Sequence, residues 1–430
     1  GDGDEFNAFC EALRQHGMGQ ILDMVPNHMG VMGSDNAWWL DVLENGPAAV
    51  HASYFDIDWF PLPEGLWGKI LLPVLGDHYG VVLENGQLKL RYDEESGSFS
   101  VLYYEHRFPV DPGTYPRILG NRIDVLEARM GADNFQFLEY QSIVTALGHL
   151  PGRMKTAPEQ IVERTRDKEL HKRRLLDLCR QCSDIRWFVE EKLEEFNGKQ
   201  GEPASFDPLH QLLQEQAYRL AFWRVASDDI NYRRFFDIND LAGLRMENDA
   251  VFEDTHRFVM ELIGANKLDG LRIDHPDGLY DPRQYFQRLQ EAVLSQAGRI
   301  PNSQTAQSKP LYVVVEKILE SYERLPEQWP VHGTTGYEFA NLVNGLLING
   351  EAEDRFNSIY EQFIGEPIVF EDLLYECKKL IMQVALASEL NVLANQLSRI
   401  AQVNRRTQDY TLNGLKSALT EIVACFPVYR

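Results

Sequence analysis

The sequence has no apolar run of about 18 residues, which rules out a membrane-spanning helix as a reading. It has too few basic residues for a nucleic-acid-binding face. Lys and Arg number 42 against 65 Asp and Glu, a formal charge of −23 at pH 7. A surface this acidic repels phosphate and anionic lipid, so neither nucleic acid nor membrane is expected as a partner. Cysteine is sparse: five residues, Cys10, Cys179, Cys182, Cys377 and Cys425, odd in number and scattered. That excludes a disulfide framework and fits a reducing cytoplasm. Cys179 and Cys182 form a CxxC, but no second pair or HxxxH accompanies them, and the reading is a helix-surface pair without zinc. The first residues, GDGDEFNAFC, lack an initiator Met, a basic n-region and an apolar core, so they are no signal peptide. Repeats and extended low-complexity tracts are absent too.

What is present is ordinary for a globular chain of 430 residues, with 44% hydrophobic and 25% charged side chains. Phe6, Phe9, Cys10 and Leu13 recur at helical spacing, and Gly17 and Gly19 stop that helix. The short apolar run at 20–25 then reads as a strand buried on both faces. Helix, glycine, buried strand is the rhythm of an α/β protein with a parallel sheet. No strand precedes that helix, and the chain reads as an internal slice of a longer fold.

Residues 33–115 are rich in aromatics, Gly and Pro. Asn85-Gly86, between VVLE and QLKLRY, predicts a hairpin, and Ser96-Gly97 a second turn into SFSVLYYEHRF, so a small antiparallel meander is expected. From 116 to 245 the pattern is helical, with one or two long amphipathic helices over 161–196. The α/β rhythm resumes with a helix near 251–266, a strand at 267–274, a helix opened by Asp281-Pro282, and a β-branched strand at 311–316. A Ser/Gln/Asn/Pro-rich loop near 299–310 precedes that strand. VHGTTGYEF is a short strand or turn before a helix, and the chain beyond 351 is helical.

Three strands end in ionisable or polar residues: Asn27 and His28, then Arg272 and Asp274, then Glu316. In parallel α/β folds such ends face the ligand crevice. A carboxylate directly after a β-branched run is costly to bury without a task or a partner. About one βα unit separates Asp274 from Glu316, so their strands are expected to be neighbours, ~4.8 Å apart. Two carboxylates about 5 Å apart suit retaining glycosidic chemistry, one as nucleophile and one as acid/base. Arg272 and Asp274 are i, i+2 and point the same way, so the guanidinium holds the carboxylate ionised. His28 is placed to donate to a substrate hydroxyl. Asp23, expected to be buried in mid-strand, needs a cation, and Arg272 is the candidate. Each residue alone has a plainer reading: His28 as a structural histidine, Asp23 as an ion-pair member, Asp277 as a turn former. The combination is what points to chemistry.

These residues carry a resemblance. DMVPNH at 23–28, GLRID at 270–274 and VE at 315–316 resemble three signatures of the α-amylase superfamily. GLRIDHPDGL, VVVEKIL, HGTTGYEF, YRRFFDINDLAGLR and ACFPVYR together resemble a family within it, the maltooligosyl trehalose synthases. The resemblance implies a partial (β/α)8 TIM barrel with two insertions. Barrel segments would occupy 1–32 and 246–345, a β-rich insertion 33–115, a helical insertion 116–245, and a helical subdomain leading to missing strands 346–430. It implies intramolecular transglucosylation on a maltooligosaccharide, with no cofactor. Asp274 would be the nucleophile and Glu316 the acid/base, with Asp23, Asn27, His28, Arg272 and His275 orienting the substrate. The third carboxylate of the superfamily would lie downstream of ACFPVYR, so the chain alone is expected to be inactive. Where the superfamily places a histidine four residues after the nucleophile this chain has Gly278, so calcium is not carried over. Trp38, Trp39, Trp59 and Trp67 are candidate sugar platforms. A glucan hydrolase or other transglycosylase of the superfamily, and a non-catalytic glucan-binding module, stay open as alternatives, as does the oligomeric state.

Overall fold

The computed structural model describes residues 2–33, 35–61, 63–296 and 309–428. Most of the loop read at 299–310, and Tyr429-Arg430 of the last motif, lie outside the described residues. The chain divides into two compact units. The first comprises Gly1–Met29, Gly243–Val384 and Tyr410–Arg430, the second Gly30–Ala242 and Ala385–Asp409.

The first unit opens with the expected helix, Gly3–Gln15. Asp2 and Glu5 close its start as a capping box. Gly17, at φ +66°, turns the chain out of it. The unit is then built on a four-stranded parallel sheet in the order Ile21–Met24, Gly270–Ile273, Tyr312–Val315, Gly333–Thr334. The register sets Asp23 beside Arg272 and Arg272 beside Val314. Because side chains alternate along a strand, Leu271, Ile273, Val313 and Val315 go to the core, all fully buried. The even-numbered residues go to the other face.

Helices Asp249–Gly264 and Pro282–Gln296 lie between the sheet strands in sequence. Asp281 caps the second by accepting from the Gln284 N–H. Gln290 in that helix is bonded to both backbone groups of Leu311 and to the Pro330 carbonyl, which fixes the start of the third strand. His256 is buried between the two helices, its Nε2 2.9 Å from the Tyr285 hydroxyl and its Nδ1 2.9 Å from the Phe252 carbonyl. Burial of the ring lowers its pKa to about 4, so it is neutral at physiological pH. Later helices of this unit, Tyr337–Gly345, Glu353–Ile364, Phe370–Val384 and Leu412–Ala424, leave many apolar side chains open, Leu342 and Phe363 among them.

The first strand departs from expectation. It was read as buried on both faces, yet Ile21 and Val25 are exposed, as is Asp23. The reason is its place at the margin of the sheet, with Gly270–Ile273 as its hydrogen-bonded neighbour in the order above. Apolar content showed that it is a strand, but not that it lies at an edge.

The second unit holds a parallel pair, Ile70–Leu75 with Tyr218–Phe222, and an antiparallel meander. The meander is Lys89–Asp93, Ser98–Tyr103 and His106–Pro109. VVLE is not its first strand. It belongs to the helix Tyr79–Glu84, which Asn85-Gly86 closes. Gly86 sits at φ +65°, its N–H bonded to Leu83 O, while Gln87 N–H reaches Val82 O. This is a Schellman closure, which wants the same left-handed glycine that a type I′ hairpin would. The stretch 116–245 is mainly helical but also contains Tyr218–Phe222 and the hairpin Arg234–Phe235 with Ile238–Gly243. Over 158–196 there are two helices, Pro158–Gln181 and Ser183–Phe196, with Cys182 at the break. Cys179 and Cys182 are buried rather than on the helix surface. Burial pushes the Cys179 thiol up to about 11, so it is held as an unreactive thiol.

One buried ion cluster organises the second unit. Glu44, on Ala37–Asn45, is gripped by Lys168 and by Lys172, the latter at 2.5 Å, both from Pro158–Gln181. All three side chains are less than a tenth exposed. Burial alone would raise the Glu44 pKa, but the two lysines outweigh it and bring it down to about 2. Trp39, one of the four candidate platforms, is core: it is buried against the rings of Phe55 and Tyr232. Trp38 stacks on His51, and Trp67 stands half exposed with its indole N–H donated to Pro61 O.

Candidate active site

The face of the parallel sheet that carries Arg272 gathers Asp23, Arg272, Asp274 and Glu316. The ladder continues past the strand ends: the Asp274 N–H donates to Met24 O and the Glu316 N–H to Ile273 O, both at 2.9 Å. The two acids are thereby fixed by backbone on adjacent strands, as the spacing suggested. Arg272 lies between three carboxylates. Its Nη1 is 2.8 Å from Asp23 Oδ1 and 2.6 Å from Asp274 Oδ1, and its Nη2 is 3.3 Å from Glu316 Oε2. Asp23 finds the cation proposed for it, though as an exposed residue and not a buried one.

Glu316 has two further donors. The Tyr337 hydroxyl is 3.1 Å from Oε1, and the His275 N–H is 3.3 Å from Oε2. His275 reaches that position with φ 42°, in the left-handed region where side chains are uncommon and which recurs at functional sites. Among the site residues, then, His275 contributes at least its backbone. Tyr337 escaped the sequence reading as an individual residue, although it lies in the motif HGTTGYEF. An aromatic at the start of a helix gives no sign of chemistry by itself.

Asn27 and His28 are both buried, with Asn27 Nδ2 3.5 Å from His28 Nδ1. Asn27 adjoins the loop after Asp274 through Gly278. A Cβ on Gly278 would fall 2.5 Å from the Asn27 amide, so the close approach requires glycine there. Asp277, read as a turn former, lies in the turn Pro276–Gly278 and also accepts from Lys317 Nζ at 2.9 Å.

Asp274 and Glu316 lie beside each other on Arg272, and so influence each other's titration. Burial raises the Asp274 pKa, and the neighbouring Glu316 raises it further against the pull of Arg272. Burial also works to raise Glu316. The bonds from Asp274, Tyr337 and the His275 N–H, with the Arg272 charge, outweigh it and leave Glu316 lowered. The two acids are thus shifted in opposite directions in the unliganded site, Asp274 upward and Glu316 downward. Three carboxylates around one guanidinium provide an attacking oxygen, a proton donor and an orienting cation within a few ångströms. No group of three or more His, Cys, Asp or Glu side chains arranged to hold a metal ion occurs among the described residues.

Comparison with known proteins bears on what this arrangement serves. No family model matches the chain. A curated relative from Mycobacterium tuberculosis, whose name places it provisionally among the maltooligosyl trehalose synthases, is 29% identical over 362 residues. That is 84% of this chain and 32% of the relative. Among solved structures, the maltooligosyltrehalose synthase of Arthrobacter ramosus superposes with a TM-score of 0.64 at 30% identity, covering 100% of this chain and 40% of that one. A second maltooligosyl trehalose synthase structure gives 0.62 at 26% identity, again with 100% and 40% covered. The chain spans about a third of the curated relative and two fifths of these structures. Motifs, strand-end geometry and both comparisons converge: this chain resembles the maltooligosyl trehalose synthases.

Proposed function

We propose that this chain supplies the nucleophile and the acid/base of an intramolecular transglucosylation. The reducing-end α-1,4 bond of a maltooligosaccharide would become an α,α-1,1 bond. Asp274 attacks the anomeric carbon of the penultimate glucose while Glu316 gives a proton to the departing O4, leaving a glycosyl ester on Asp274 and a free terminal glucose. Glu316 then takes the proton of that glucose's 1-hydroxyl, which attacks the same carbon and releases Asp274. Two inversions keep the linkage α. Isomerisation, as opposed to hydrolysis, requires that the glucose stay bound and water stay out.

The observation that carries this reading is the placement of Asp274 and Glu316 at adjacent strand ends, both in contact with Arg272. Attack requires Asp274 as the carboxylate and Glu316 as the acid, and the Arg272 guanidinium stabilises the Asp274 carboxylate. His28, Asn27, Asp23 and His275 are assigned to orienting the sugar.

The activity is placed in a longer protein, one in which the parallel sheet is part of a (β/α)8 barrel and a third carboxylate completes the site. The open apolar side chains after 337 and the relatives' greater length support this. Free cysteines throughout support a cytoplasmic location. The test is product analysis with the full-length protein on maltopentaose. A non-reducing isomer of unchanged mass is expected; accumulation of shorter reducing sugars alone would transfer the site to a hydrolase.

A further inference from the structure

Lys317 directly follows the acid/base, and the alternation of the strand sends it the opposite way, to the face of Val313 and Val315. Its side chain is 1% exposed. There its ammonium meets Asp277 Oδ2 at 2.9 Å and Glu323 Oε1 at 3.5 Å, both carboxylates largely shielded from solvent. Asp277 lies three residues after Asp274, in the turn that leaves the second strand. The contact therefore joins the segment carrying Glu316 to the segment carrying Asp274, behind the reacting groups.

A lysine this deeply buried loses the hydration of its charge and is retained only with partners. A local turn at Asp277 would need no such cation, and a plain core position after Val315 would be apolar. The placement makes sense if what matters is the separation of the two strand-end acids. The ladder hydrogen bonds fix it on one side, and the Lys317–Asp277 tether closes it on the other.

We propose that Lys317 is a positioning residue that holds Glu316 at hydrogen-bonding distance from Asp274 by anchoring the loop at Asp277. The proposal rests on the catalytic pairing above. Acting through that pair, Lys317 touches no substrate. A displacement of Glu316 by about 1 Å is enough to slow turnover ~100-fold.

The test uses two variants in the full-length protein, Lys317→Met and Lys317→Met with Asp277→Asn. The single variant takes the Lys317 charge away from two shielded carboxylates and is expected to lower both the thermal midpoint and kcat, the latter ~100-fold with KM changed less than about threefold. The double variant removes the Asp277 charge as well and should recover much of the midpoint while kcat stays low. Recovery of kcat together with the midpoint would show a purely structural ion pair and overturn the proposal. A substrate-free readout separates this from failure of the catalytic reading. Carbon-13 NMR of labelled Asp and Glu carboxyls in this chain should show Asp274 and Glu316 titrating as a coupled pair in the parent. In the double variant they should titrate more independently. Coupled titration unchanged in the double variant would also overturn the tether.

Discussion

Two clusters of different charge balance mark the two units. Around Arg272 one cation faces three carboxylates, and every member keeps contact with solvent: Arg272 and Glu316 are each 25% exposed and Asp23 61%. Around Glu44 two lysines face two carboxylates, Glu44 and Glu169, with Glu44 and both lysines below 10% exposed. The second arrangement satisfies its charges and closes over them, as a buried ion pair must to survive desolvation. The first leaves negative charge in excess, sets two acids side by side, and stays open. Excess charge held in a rigid, accessible place is what a reaction can use. Balanced charge in a sealed place serves the fold.

The sharpest way to break this comparison is to remove one acid from each cluster. Asp274→Asn in the full-length protein is expected to reduce kcat by ~10⁴-fold or more while leaving the unfolding midpoint nearly unchanged. Glu44→Gln leaves two buried lysines with only the half-exposed Glu169 as counter-charge. It is expected to cost about 3–5 kcal/mol in denaturant unfolding, with turnover per folded molecule unchanged. Equal losses of stability from both would erase the distinction.

Acid titration separates the units next. The folded-state pKa of His256 is depressed to about 4, so the stability it gives is complete above its unfolded value near 6.5 and is lost as pH falls from there to 4. Glu44 is depressed to about 2, so its contribution is complete above about 4.5 and is lost only between there and 2. Each amounts to about 3 kcal/mol. Hydrogen exchange followed between pH 7 and 3 should show helices Asp249–Gly264 and Pro282–Gln296 loosening before Pro158–Gln181. The reverse order would contradict the assignment.

Tyr337→Phe should have the smallest effect, about a tenfold loss of kcat/KM. Its hydroxyl lowers Glu316, so its removal should raise the Glu316 pKa. The limb of the pH–rate profile that requires a protonated acid moves to higher pH. An unmoved limb would mean that the hydroxyl does not act on Glu316.

The strands of the candidate site were legible because β-branched runs that end in charge are hard to explain as core alone. Gly270–Ile273 and Tyr312–Val315 proved neighbours as their spacing implied, and Arg272 reached both Asp23 and Asp274. What escaped the sequence depended on context that no local pattern carries. The exposure of Asp23 follows from sheet order. Asn85-Gly86 permits two structures with the same glycine geometry, and the helix won through packing of Val82 and Leu83. Lys317 and Tyr337 act across loops, with partners far away in sequence, and Trp39 looks the same in sequence whether it meets a sugar or Phe55.

Gly278 has a consequence for mutation. Its missing side chain is the space filled by Asn27. Any side chain introduced at 278 without first replacing Asn27 would be driven into a buried amide. Positions 27 and 278 therefore form an ordered pair of mutational steps, open in one direction and closed in the other.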